Sequence, residues 1–368
     1  VAVICALRRA VLATALATAL LALSACSTLR YTAHVVHGQL ALLARRQSVA
    51  QIVADPATDA SLRARLSEAQ AARQFASDRL ALPRNRSYTS YVELGRPFVT
   101  WNVFATPEFS IEPLTHCFPF AGCVAYMGFF DRALAQEAAK DLADKGNDTT
   151  IEGAAAYSTL GWFADPILSS MLRWDDDELD GVIFHELAHQ RLYLEDDTAF
   201  NESFASFVQE QGLREWRAAR GLASVIDGQA HARDAAFTRL VLDLRERLGR
   251  VYAKRLGPDG MRAAKRSEID AFRLRYAKLR DIDWSGDTHY DRWVEAPINN
   301  ARLVPFGLYD RWVPAFARLF EQAGRQWPAF YAHVADLLKT PKLQRDRLLA
   351  ELAADCGDAT DTNPECAR

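Results

Sequence analysis

The residues best placed to do chemistry lie in Phe184-His185-Glu186-Leu187-Ala188-His189-Gln190. Histidines four apart project from one face of a helix, so one divalent ion can reach both imidazoles, and Glu186 sits one step from His185. This is the HExxH signature of zinc-dependent hydrolases, in which the glutamate is a base and not a ligand. A catalytic zinc with an open position needs a third protein donor. Asn201 to Val208 reads as a second helix, and its Glu202 faces back across a short turn. The expected ligands of one Zn2+ are therefore His185, His189 and Glu202. Glu186 is expected to take a proton from zinc-bound water and pass it to the leaving amine. The competing reading is an ordinary buried helix with hydrogen-bonded histidines. Chance would produce this spacing in only about one chain in a hundred of this length, which favours the metal site.

The geometry requires two helices, and the sequence supplies their signals. Asp175 to Asp177 offer N-cap oxygens and Glu178 a capping-box partner, while Leu179, Val182, Ile183, Leu187 and Leu192 recur at helical spacing. Thr198 or Asp197 can cap the second helix, and Phe204, Phe207 and Val208 can bury it. Tyr91 to Leu94, Phe98 to Ala105, Val124 to Phe130 and Ala155 to Leu160 read as strands. A small sheet beside the metal helix can hold an extended peptide through its backbone. Tyr157, on the fourth of these strands, either reaches the oxyanion or fills the core. Residues His34 to Val53, Ser61 to Leu82, and Leu213 to Arg280 read as helical, and another helical region runs from Asn299 past Tyr309 to about Ala353. His34 and His37, with no acidic or cysteine partner nearby, read as surface or packing residues. The expected class is α+β, predominantly helical: a zincin-like core with a small β-sheet beside the HExxH helix and a helical C-terminal region.

The chain has 368 residues, of which 49% are hydrophobic and 25% charged, enough for one large or two modest domains. The expected divisions are a signal segment at 1–25, an anchored helical region at 26–86, the metallopeptidase core at 87–280 and a packing helical region at 281–368. A net charge of −3 gives no support to nucleic-acid binding. Arg8 and Arg9 precede an apolar run from Ala10 to Leu23, and Leu23-Ser24-Ala25-Cys26 looks like a bacterial lipobox. The alternative, an uncleaved membrane helix, would want roughly 20 apolar residues. The lipobox predicts cleavage before Cys26, lipidation of that cysteine and a membrane tether; Ser27 suggests sorting to an outer membrane, with the protein facing the periplasm. Cys117 with Cys123, and Cys356 with Cys366, then read as two disulfides in an oxidising compartment. A second zinc site using His116 and Cys117 is the alternative, though no CxxC pair supports it.

Several longer stretches point further. Ser87-Tyr88 through Trp101-Asn102-Val103, Cys117 to Tyr126, Ala156 to Pro166, His185 to Gln190, Phe200 to Ala205 and Asn299-Asn300-Ala301 together resemble a bacterial family of predicted zinc aminopeptidases. These are periplasmic lipoproteins related in motif logic to the glutamate zincins. The resemblance covers most of the chain beyond Cys26. It implies metal and base roles for His185, Glu186, His189 and Glu202, and it includes Tyr157 and Tyr309 without assigning them roles. His116, Met127 and Phe129 depart from the pattern, where Trp, Arg and Tyr are expected, so substrate contacts near the Cys117–Cys123 loop can differ. Tyr157 or Tyr309 would steady the oxyanion. An aminopeptidase also needs an anion for the substrate's α-amine, and Glu152 and Glu295 are candidates. An endopeptidase of envelope quality control and a scaffold or chaperone with structural zinc are the alternative functions; a base beside the ligands argues against the last.

Overall fold

The structure, a computed structural model, describes residues 29–118, 122–156, 158–222, 228–254, 256–306 and 311–354. Cys26 with its signal segment, Tyr157, Tyr309, Cys356 and Cys366 lie outside these residues. The protein is predominantly helical with small sheets, as its apolar periodicities predict.

Helix α1 (29–44) is followed by β1 (Gln47–Ser48), α2 (Val49–Ala54) and α3 (Ala60–Asp78). The helix expected from His34 to Val53 is thus interrupted: Gln47 and Ser48 pair with β2 (Ser90–Val92) across an antiparallel register. Asp59 caps α3 by accepting from the amides of Ser61 and Leu62. Next come β3 (Thr100–Pro107), the hairpin strands β4 (His116–Phe118) and β5 (Gly122–Val124), and β6 (Tyr126–Phe129). Helix α4 (Arg132–Ala143) leads into β7 (Asn147–Ala154) and the short β8 (Ile167–Leu168), which runs parallel to β2. β3 is the centre of an antiparallel sheet ordered β6-β3-β7.

This sheet corrects one expectation. The strand lies at 147–154, not at Ala155 to Leu160. The later stretch turns instead: Leu160 and Gly161 both have positive φ, and the buried Asp165 carboxylate accepts from the Thr159 amide (3.0 Å) and hydroxyl (2.8 Å). β7, whose sequence is Asn-Asp-Thr-Thr-Ile-Glu-Gly-Ala, pairs on one side only and carries a single large apolar residue. Backbone pairing with β3 over eight residues extends it without apolar alternation.

Helices α5 (Asp176–Arg191) and α6 (Thr198–Ala219) form a packed hairpin. Asp175 caps α5 through the Glu178 amide (2.8 Å), and Asp197 caps α6 through the Phe200 amide (3.3 Å). Asn201 fastens the turn between them, accepting from the Leu194 amide and donating to the Leu194 carbonyl. The chain continues as α7 (Gly228–Tyr252), α8 (Pro258–Lys278), α9 (Asp291–Glu295), α10 (Val313–Gln322), α11 (Trp327–Leu338) and α12 (Lys342–Ala354). The main core joins Phe184 of α5, Phe204 and Phe207 of α6, Phe316 of α10 and Phe330 of α11, all essentially inaccessible to water. A second core under α7 and α8 gathers Phe237, Leu244, Phe272 and Trp284. The Asn299-Asn300 pair bolts this half to the sheet. Asn299 donates to the Thr149 carbonyl (2.9 Å), and the buried Asn300 donates to the Glu108 carbonyl (2.9 Å) while accepting from the Tyr252 hydroxyl (2.8 Å). Among the described residues no helix is long and apolar enough to cross a membrane.

Candidate metal centre

His185 and His189 are one turn apart on α5, and both side chains are buried. The buried stripe of Leu179, Ile183, Phe184, Leu187 and Ala188 locks that helix into the main core, so the opposite imidazoles have fixed positions. Glu202, in the second turn of α6, meets them across the helix pair. Its Oε2 is 3.2 Å from His185 Nε2 and 3.5 Å from His189 Nε2, and the two Nε2 atoms are 3.1 Å apart. The three donor atoms lie within 4.8 Å of one another, and among the described residues this is the one such cluster of His, Cys, Asp and Glu. Two imidazole nitrogens and a carboxylate oxygen converging on one point suit a metal such as zinc. Burial pushes the Glu202 carboxyl up, but His189 and His185 outweigh it and hold the group below the ordinary carboxylate range. Burial pushes the His189 imidazole down, and Glu202 more than reverses this. Each group thus favours the charge its neighbours complement.

Glu186, half-buried, faces the same cavity as the cluster. Burial raises its pKa, partly offset by His185 and His189. A carboxyl whose pKa is raised is a better proton acceptor, which suits a general base.

The cavity has a volume of about 570 Å³. The sheet contributes Thr100 and Asn102 from β3, Tyr126 from β6 and Ala154 from β7 to its wall. Glu152 pairs with Asn102 across the strands and so shares their face, but it is exposed. Glu295 is exposed at the end of α9, beside the second core. Neither carboxylate lines the cavity. Cys117 and Cys123 stand opposite each other in β4 and β5 and are joined by a disulfide, which removes Cys117 from any second metal site. The hairpin docks on the α5–α6 turn, where the Cys123 amide donates to Asp196 Oδ1 (2.7 Å).

Three contributions escape the motif. Gln209, seven residues after Glu202 on α6, places its Oε1 3.1 Å from His185 Nδ1. Seven residues are two helical turns, so the shared face was readable once Glu202 was assigned. Tyr126 and Tyr193 also line the cavity. Burial, then the nearby carboxylate of Glu202, keeps each phenol protonated. Tyr126 arrives on a strand, and no local pattern ties it to α5. Tyr193 follows His189 by four residues, just past the helix end, with the rings edge to face at 6.4 Å.

No curated protein and no solved structure matched the chain in comparison searches. The profile of the family described as "Putative aminopeptidase" matches residues 30–349, from α1 to the middle of α12. That span holds both helices of the candidate metal centre and every wall of its cavity, and the chain belongs to this aminopeptidase family.

Proposed function

We propose that the protein is a zinc-dependent peptidase, most simply an aminopeptidase. The observation that carries this reading is the meeting of His185, His189 and Glu202 at one point, with Glu186 in the same cavity. His185, His189 and Glu202 would hold the ion, which when bound supplies Lewis acidity toward water and a carbonyl. Glu186 takes a proton from the attacking water and delivers it to the departing amine nitrogen. Tyr126 and Tyr193, protonated at neutral pH, are hydrogen-bond donors on the cavity wall for a developing oxyanion. Tyr157 and Tyr309 keep that candidacy from sequence alone.

Family membership supports the exopeptidase form. One observation favours an endopeptidase: among the described residues lining the cavity the carboxylates are Glu186 and Glu202, so no third one is present to hold an α-ammonium. One peptide offered with a free and with an acetylated amine separates the two. Cleavage of only the free form establishes the aminopeptidase, cleavage of both the endopeptidase, and activity surviving Glu186→Gln would remove that residue from its role. The stretch from Arg8 to Ser27 further supports a lipid tether at Cys26 facing the periplasm. Growth with labelled palmitate should then label the protein, and Cys26→Ala should abolish that label; an unlabelled wild type, or a label kept in Cys26→Ala, would refute the tether.

A further inference from the structure

Beside the candidate metal cluster, the cavity's lining is mostly apolar, although Thr32, Thr100, Asn102 and Ser158 also contribute to its walls, and its apolar side chains are brought from distant parts of the chain. Val35 and Val36 come from α1, Val124 from β5, Phe130 from just after β6, and Leu160 from the turn after β7. His185, Glu186, His189 and Glu202 line the same cavity. α1 is fastened over this space. The Tyr31 hydroxyl donates to the Gly128 carbonyl (3.1 Å), and the Phe130 amide donates to His34 Nε2 (3.0 Å). Gly38 meets the Phe130 side chain so closely that an added Cβ would lie 2.2 Å from the ring. Val36, 51% exposed, forms the outer lip.

We propose that this is a subsite for an apolar side chain, so that the protein acts on peptides with leucine, phenylalanine or a similar residue next to the bond it cleaves. The proposal rests on the peptidase reading above and specifies its substrate. A bond held at His185, His189 and Glu202 leaves its neighbouring side chain inside the same cavity, and about 570 Å³ is ample room for one large side chain. Leucine or phenylalanine gains by leaving water in proportion to its apolar area. Aspartate would lose hydration against Val35, Val124 and Phe130, which return no hydrogen bond from their side chains. α1, far from the other walls in sequence, since the next lining residue is Thr100, is thereby a specificity element.

The test uses zinc-loaded protein and peptides identical except for residue X beside the cleaved bond, with X as Gly, Leu, Phe, Asp or Lys. A parallel set replaces the scissile amide by an uncleavable methylene-amine, and its binding is measured by calorimetry. Leu and Phe should exceed Gly by roughly ten- to hundredfold in kcat/KM and should bind more tightly than Asp. Val36→Glu, a substitution at a half-exposed lip, should move the preference toward Lys. Equal cleavage across X, or an order unchanged in Val36→Glu, would overturn the subsite. If no peptide is cleaved, the uncleavable set decides: selective binding of Leu and Phe upholds the subsite although the peptidase reading fails, and equal binding overturns it.

Discussion

His185 Nδ1 lies 3.1 Å from Gln209 Oε1. An amide oxygen can only accept, so His185 must donate from Nδ1, which turns the Nε2 lone pair toward Glu202 and His189. α6 therefore supplies a candidate ligand and, two turns later, the group that selects the tautomer of a candidate ligand on the other helix. Partners of this kind typically carry 10–100-fold in metal affinity. Gln209→Leu should weaken zinc binding by about that factor, whereas Gln209→Glu, which keeps the acceptor, should retain it. Competition with a zinc chelator measures both; equal affinities in the two variants would refute the role.

Asp197, the N-cap of the helix that carries Glu202, is also the end of a buried ion pair. Arg345 Nη2 of α12 is 2.5 Å from its Oδ2, and Lys342 Nζ is 2.9 Å away. Burial pushes the Asp197 carboxyl up, but these two cations outweigh it and hold the group below its usual value. Breaking a buried pair so that the other charge is left unpaired costs about 3–5 kcal/mol. Arg345→Met leaves Asp197 the partly exposed Lys342, so it should destabilise by a part of that amount in urea titration. Asp197→Asn with Arg345→Met should recover part of the loss, and a double variant no better than the single would exclude the pairing as its cause.

Asp180 is a buried carboxyl on α5 that accepts from Trp216 Nε1 (2.7 Å) and has a second oxygen without a hydrogen-bond partner among the described residues. Burial pushes its pKa up to about 8, with the Trp216 bond pulling the other way. The sign follows from linkage. The folded protein keeps a proton that the unfolded chain releases near its ordinary value of about 4, so stability falls as pH rises from about 4 to about 8 and then levels. Asp180→Asn keeps an acceptor for Trp216 and cannot ionise. Its melting temperature should gain on the wild type as pH rises from about 4 to about 8, and parallel curves would mean the carboxyl is not neutral when folded.

The Cys117–Cys123 bridge closes a short loop, with a sequence separation of 6. Loop-closure entropy assigns such a bridge about 2 kcal/mol. Replacing both cysteines with alanine should cost about that in denaturant midpoint analysis. Substrate affinity should fall as well, because β5 carries Val124 into the cavity wall and the hairpin docks on Asp196. A KM unchanged alongside lost stability would separate the hairpin from the site.

Local spacing determined much of this protein. Residues four apart on a capped, amphipathic helix share a face wherever that helix packs, so His185, Glu186 and His189 were legible as a unit. Glu202 was legible because only a short turn separates α5 from α6. The helical character of the chain followed from apolar periodicity in the same way. Tertiary structure decided what local spacing does not encode. β7 is a strand because β3 pairs with it, despite a polar sequence, while Ala155 to Leu160 looks more strand-like and is turned by Asp165. Asn299 and Asn300 carry no pattern that announces a bolt between sheet and helices. The cavity draws walls from α1, β3, β5, β6 and the turn after β7, and their meeting depends on packing between residues far apart in sequence. Spacing along the backbone thus placed the candidate ligands, and long-range packing built the space in which they face a substrate.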